Sequence, residues 1–409
     1  MALSSSQIRS VISIMVSLLH IFLKEVAMGF RLSLLARRTA LMTALALGLC
    51  SQAAFALTVT DVAGRKVEIP DKVEHVLLGE GRMLYSVAML EGAEPFKRIV
   101  GWQGELKTVD PQGYAAYQAK FPQIEQLPRI GTTSEASVSP EKVLALHPDI
   151  AIFGVAGHGP GVKNEIVEQL HQAGVPVVFI DFRQHPLQNT VPSLRLLGQA
   201  LHRERQAEDY IDFYQQHLKR VQAVVSQIPQ SERPSVFIEM LAGYGKGGIA
   251  CCHTAGNGNM GEFIQAAGGN NIAAPLLPGP IGEINLEKLI SADPRFYLLS
   301  GTRDSQSTQP GLKAGAGVSA AAARASLQPL IARQGISTLT AVREGRVHGL
   351  WHNFYNSPYN ILAIEAMAKW FYPERFKDLD PNQTLAELQQ RFLPVSIDGA
   401  YWVDLQAAP

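Results

Sequence analysis

Two segments of this chain are built to one plan: "IGTTSEASVSPEKVLALHPDIAIFG" at 130–154 and "IGEINLEKLISADPRFYLLSG" at 281–301. Each carries Ile-Gly, a linker, a polar helix-capping position (Ser139, Asn285), Glu-Lys in the first turn, an apolar helix, a proline turn (Pro148, Pro294) and a strand. Glu141 and Glu287 are equivalent across the pair, 146 residues apart. A period that long is not a solenoid, and it points to two lobes of similar construction.

The rest of each half alternates strand and helix, the pattern of α/β lobes with mainly parallel sheets. The first half offers strands at "HVLLG" (75–79), "RIVGW" (98–102), "IAIFG" (150–154) and "VPVVFIDF" (175–182). The second offers "SVFIEML" (235–241), "FYLLSG" (296–301) and "RVHGLW" (346–351). Between them Leu194, Leu197, Leu201, Ile211, Tyr214, Leu218, Val221 and Val225 fall near a helical stripe with no proline after Pro192. One long α-helix, roughly 50 Å at about 1.5 Å per residue, is expected to join the lobes. The expected order is an N-terminal extension and signal peptide (1–56), an N-terminal lobe (57–189), an interlobe helix (190–228) and a C-terminal lobe (229–409), with a ligand cleft between the lobes. At 409 residues the chain has ample length for two packed units.

The first 56 residues read as an export signal. From Met28, a basic stretch (Arg31, Arg37, Arg38) precedes an apolar run and an Ala-x-Ala site ending at Ala56. Translation starts at Met1 or at Met28. Val11 to Leu23 is short for a bilayer span. Cys50 is the competing lipid-anchor position, but Leu49 before it is bulkier than such a site takes, so a soluble periplasmic protein is expected. Cleavage after Ala56 removes five basic residues and one acid from the 36 of each sign, leaving a net charge of −4. That balance argues against a nucleic-acid partner.

Ligands of α/β sheets sit beyond the carboxyl ends of the strands. At those ends the first half places Arg82, Tyr85, Trp102, His158 and Arg183, and the second places Tyr244, Lys246, Arg303, Trp351, His352 and Tyr355. Arginines suit carboxylates and other oxyanions, and the aromatic residues give large faces for bulky groups. The implied ligand is anionic, sizeable and partly aromatic. A Gly/Ala/Ser-rich insert at 305–327 lies near the expected cleft, either ordering on binding or mobile.

"IACCHTAGNGNMGEFIQAAGG" (249–269) contains Gly256, Gly258 and Gly261 at a G-x-G-x-x-G spacing. A dinucleotide loop needs a strand directly before it and a full helix after it, whereas here fifteen glycine- and cysteine-rich residues follow Leu241. Cys251, Cys252 and His253 are consecutive and cannot readily surround one zinc ion. Two readings of the cysteines stand: a vicinal disulfide, or two partly buried free thiols. The stretch reads as a rim loop ending in a short helix. No G-x-S-x-G, H-E-x-x-H or P-loop motif is present, and an enzyme is not expected.

Taken together, "DVAGRKVEIPDKVEHVLL", "PRIGTTSEASVSPEKVLALHPDIAIF", "AGVPVVFIDF", "GEFIQAAGGNNIA", "INLEKLISADPRFYLL" and "LTAVREGRVHGLWHNFYNSPYNILAIEAMAKWFYPERF" make the mature chain resemble the class III periplasmic solute-binding proteins of ABC importers, the iron-siderophore, haem and cobalamin group. The resemblance implies a monomer without an intrinsic cofactor that captures a metal chelate between its lobes and delivers it to an inner-membrane permease and ATPase. Members that bind bare zinc or manganese use several His and carboxylate ligands. Here only His158 and His352 stand at strand mouths, so the resemblance favours a chelate, an Fe(III)-siderophore complex first, with haem or cobalamin as alternatives and a metal-chelate-processing enzyme behind them. His352 or Tyr355 is the candidate metal contact. By motif position, the family's permease-docking acids fall on Glu141 and Glu262.

Overall fold

A computed structural model describes Lys24 and residues 57–244, 251–303 and 306–405. The expectations for the export signal, Cys50 and Lys246 lie outside the described residues. An antiparallel hairpin, β1 (Leu57–Thr60) with β2 (Lys66–Ile69), leads into a five-stranded parallel sheet. Its strands are β3 (Val76–Leu78), β4 (Ile99–Gln103), β5 (Arg129–Gly131), β6 (Ile150–Gly154) and β7 (Val177–Ile180), in the order β5-β4-β3-β6-β7. Strands β3, β6 and β7 are wholly or almost wholly apolar and buried, as a sheet covered by helices on both faces requires.

The second sheet is mixed. Its strands are β8 (Ser235–Glu239), β9 (His253–Ala255), β10 (Asn270–Asn271), β11 (Ile281–Glu283), β12 (Phe296–Gly301), then β14 (Val347–Trp351) and β16 (Trp402–Asp404). The order is β11-β9-β8-β12-β14-β16, with β10 also on β8. β8, β10, β12 and β14 run parallel, while β9, β11 and β16 are antiparallel additions at the edges. The protein is therefore α/β with two main sheets among the described residues, and the expected parallel strands form the core of each. The repeated plan is visible in detail: Ser139 accepts from Lys142 N at 3.3 Å and Asn285 from Lys288 N at 2.8 Å, opening helices Pro140–Ala145 and Leu286–Ala292.

The stretch expected to be one long helix is instead two, Pro186–Ala200 and Glu204–Val225, broken where His202 takes φ 51°. They fold against each other: Arg195 pairs with Glu208, and a side chain at Gly198 would stand 2.6 Å from Ala207 Cβ. Gly198 is thus a close-approach residue, and the 22 residues of Glu204–Val225 alone lead from the first sheet to the second. The Gly/Ala/Ser-rich insert is ordered over its described residues. Leu312, Ala314, Ala316, Val318, Ala323 and Leu327 are buried, a short strand β13 (Gly315–Ala316) pairs with β15 (Gly399–Ala400), and Ser319 caps helix Ala320–Ile331. Alanine packs here as a small apolar residue rather than as a linker.

Candidate functional site

The segments after β3, β6, β7 and β14 meet in a buried seam between the two halves. Arg82 follows β3 with its side chain 2% exposed. Its Nη1 donates to Tyr355 Oη, which the turn after β14 supplies, and its Nη2 donates to Glu80 Oε2 at 3.1 Å. Glu80 is held by four donors. His158 N (2.8 Å) and Gly159 N (3.3 Å) reach Oε1, while Arg82 Nη2 and Asn356 Nδ2 (2.9 Å) reach Oε2. A Cβ on Gly157 would lie 2.0 Å from Glu80 Oε1, so only glycine lets the loop after β6 come this close. Burial opposes the Glu80 charge, but Arg82, Arg183 and His158 outweigh it and hold the carboxyl below its usual range.

Arg183 stands on the other side of the Tyr355 ring. Its guanidinium carbon lies 5.1 Å from the ring centroid, against 5.5 Å for that of Arg82. Its Nε and Nη1 are buried without a hydrogen-bond partner among the described residues. The neighbouring Asp181 does not neutralise it directly, because that carboxylate accepts from the N–H groups of Arg183, Gln184 and His185 and from Asn189. His352 is buried, shares Nδ1 with Ser300 Oγ at 2.9 Å and packs on Tyr355 with ring centroids 4.4 Å apart. Burial, then Arg82 and Arg183, push its imidazole well below the usual range. Burial and the same arginines lower His158, and burial with Arg183 lowers His253. Two guanidiniums and three imidazoles thus share one positive field, a setting for an anion. Among the described residues, no group of three or more His, Cys, Asp or Glu is arranged to hold a metal ion. A cavity of about 10 Å³ lies against Glu80, Arg183 and Asn356. It is the size of one water, so a bulky ligand at that point requires the halves to part.

Of the other expected contacts, Tyr85, Trp102 and Trp351 are core residues. Tyr85 donates to Asp110 at 2.9 Å and packs on Trp351 and Tyr359. Trp102 stacks on Tyr114, and Trp351 sits among Tyr85, Phe354 and Tyr401. Arg303 lies apart, 3.7 Å over the Tyr244 ring and donating to Pro310 O. Glu80, Asn356, Glu105 and His253 join the site unexpectedly. Glu80 stood in the "GEGR" that flagged Arg82, and its glycine neighbours were the available signal.

The glycine-rich loop makes no phosphate cradle. Gly256 N donates to Pro280 O, Gly261 N to Gly258 O and Asn259 N to Gln184 O, while Asn259 Nδ2 reaches Arg183 O at 2.8 Å. Cys251 and Cys252 form a disulfide beside it. Glu262, expected as a permease-docking acid, is engaged within the protein. Its side chain is 15% exposed, accepting from Leu187 N at 2.8 Å and pairing with His185 Nδ1 at 2.9 Å, so it anchors the segment that carries Arg183. The exposed, repeat-related acids are Glu141 and Glu287.

A family profile described as periplasmic binding protein matches residues 92–351. The molybdate-binding protein MolA of Haemophilus influenzae is 21% identical over 83% of this chain and 91% of its own length. An uncharacterized ABC transporter substrate-binding lipoprotein, YvrC of Bacillus subtilis, is 23% identical over 62% of this chain and 71% of its own. Among solved structures, the TroA-like periplasmic binding protein FepB from Veillonella parvula superposes with a TM-score of 0.73 at 25% identity, covering 86% of this chain and 100% of that one. Among the described residues, no helix is long and apolar enough to cross a membrane. These are solute-binding proteins rather than enzymes, and their partners are an ABC permease and its ATPase. The chain belongs to the periplasmic binding protein family, as a class III substrate-binding protein of an ABC importer.

Proposed function

We propose that the seam around Tyr355 captures a compact, oxygen-rich anion, a tetrahedral oxyanion of the molybdate kind, for import. The observation that carries this reading is Arg183, with two buried nitrogens lacking a partner among the described residues, beside Tyr355 and opposite Arg82. A guanidinium placed so gains most from an oxyanion that accepts its N–H groups. The molybdate-binding relative supports the same chemistry. A ferric siderophore is the second reading, favoured by Arg303 over Tyr244, which adds a cationic and aromatic surface that a larger chelate would use once the halves part. The test is titration of the intact protein with molybdate, ferric siderophores, haem, cobalamin and nickel–histidine, following tryptophan fluorescence and heat. Stoichiometric, reversible binding of molybdate is expected. A response to the bulky chelates alone would overturn the oxyanion reading.

Delivery, in the same proposal, uses Glu141 and Glu287 as permease contacts, because these first-turn carboxylates are exposed while Glu262 is engaged within the protein. Replacing both by alanine is expected to leave ligand affinity and Tm near wild type and to abolish stimulation of the importer's ATPase. Normal stimulation would leave them as helix-capping residues worth about 0.3 to 1 kcal/mol each. Export with cleavage after Ala56 completes the reading, and N-terminal sequencing of the periplasmic protein should begin at Leu57.

A further inference from the structure

The carboxylate of Glu80 is out of place in a site for anions. It is 3% exposed, it stands at the centre of the seam, and its hydrogen bonds lock it from three directions: the loop after β6, Arg82, and Asn356 from the other half. A carboxylate with four donors is not readily displaced by an incoming anion. Its charge therefore persists when ligand binds. Arg82 and Arg183 supply two positive charges. Glu80, hydrogen-bonded to Arg82, offsets one, and Glu105, 3.6 Å from Arg82 Nε, adds negative charge at the same guanidinium. Asp181 adds negative charge behind Arg183, directed at backbone N–H groups. The fixed charge facing the ligand thus matches a single negative charge at most, and any second one must be met by protonation of His158, His253, His352 or Glu105.

We propose that Glu80 sets the charge selectivity of the cleft, holding it to ligands that present one net negative charge or that bring a proton with a second. This deepens the oxyanion reading and rests on it. Glu80 acts through the field at Arg82 and Arg183 rather than by contact with the ligand, so it is a specificity-determining residue whose removal changes which anion is preferred.

Perrhenate and molybdate are the probes, since both are tetrahedral tetraoxo anions of similar size, carrying one and two negative charges. Calorimetry at pH 7 in two buffers of different ionisation enthalpy reads both affinity and proton uptake. In the wild type, molybdate should bind with net proton uptake and perrhenate without it, with affinities within about tenfold of each other. In Glu80→Gln the molybdate-to-perrhenate preference should rise tenfold or more and the proton uptake should fall away. Glu80→Asp, which keeps the charge, should behave as wild type. The wild-type pair of measurements stands even if Glu80→Gln fails to fold: a wild type that prefers molybdate a hundredfold without taking up protons overturns the proposal. An unaltered preference in folded Glu80→Gln rejects Glu80 as the selector while leaving the oxyanion reading intact. Failure of both anions to bind the wild type rejects both.

Discussion

Two arginine–tyrosine pairs in this protein look alike in the sequence and differ in their setting. Arg183 and Arg82 flank Tyr355 in a buried seam, where two Arg183 nitrogens lack a partner among the described residues and a neighbouring carboxylate is turned away. Arg303 lies over Tyr244 at a shorter distance, yet it donates to Pro310 O at an exposed rim. The closer contact is the weaker candidate. A cation gains from a ligand anion in proportion to how little water screens it and how few partners it already has. Ring distance measures neither.

The largest test of that contrast is Arg82→Ala. Arg82 is both a candidate ligand contact and the buried partner of Glu80, with side chains 2% and 3% exposed. Removing it leaves a buried carboxylate without its cation, which costs about 3 to 5 kcal/mol. Thermal or denaturant unfolding should show a Tm drop of many degrees, together with lost binding. A variant as stable as wild type would mean that Glu80 is neutral in the fold, and the charge balance described for the seam would be wrong.

Arg183→Ala should separate binding from stability. Since Arg183 Nε and Nη1 bond to nothing among the described residues, truncation breaks no protein hydrogen bond from those atoms, and Tm should stay within a few degrees. A charge-assisted hydrogen bond to a ligand is worth about 1.5 to 3 kcal/mol, so affinity should fall roughly ten- to a hundredfold. Unchanged molybdate affinity in calorimetry would remove Arg183 from the site.

The strands were legible because each is a short apolar run, and the expected segments at 75–79, 98–102, 150–154, 175–182, 235–241, 296–301 and 346–351 all fall on strands. The meeting of Arg82, Arg183, His352 and Tyr355 was legible because residues just past parallel strands converge at one end of the sheets. Trp102, Tyr85 and Trp351 satisfy the same rule and are nevertheless core, because helix Pro111–Lys120 and its capping Asp110 cover Trp102 and Tyr85, while Tyr85, Phe354 and Tyr401 enclose Trp351, and nothing in their own segments announces that cover. The break at His202 was hidden for another reason: the stretch lacks a late proline, and Gly198 reads as a mild helix weakener until Ala207 is seen to pack on it. Glu262 looked free because its partners, His185 and Leu187, are more than seventy residues away.

A smaller effect comes through pH. Burial pushes the Glu105 carboxyl up to about 7, though Arg82 and two backbone N–H groups oppose it. As pH rises from the unfolded carboxyl's range toward 7, the unfolded chain loses this proton first, so the stability contributed by the protonated folded form is lost across that window. Ionisation also puts a negative charge beside Arg82, so anion affinity should weaken a few-fold between pH 6 and 8. In Glu105→Gln both slopes should flatten. An affinity profile unaltered by the substitution would assign the pH dependence to the three imidazoles alone.

The smallest effect should come from Arg303→Ala. Its cation–π contact with Tyr244 joins two half-buried side chains, worth about 1 kcal/mol, and its hydrogen bond to Pro310 O ties only a local turn. For a compact oxyanion held at Tyr355 the loss lies outside the contact shell, and affinity should change less than about threefold with Tm nearly constant. A ferric chelate large enough to span both arginine–tyrosine pairs gives a different result, because Arg303 would then meet ligand oxygens and its loss would approach that of Arg183. Measuring Arg303→Ala and Arg183→Ala with the same ligand therefore reads ligand size from the ratio of the two effects. A ratio near one would mean that the rim and the seam form a single extended site, and that the contrast in burial between the two pairs does not decide where this protein holds its anion.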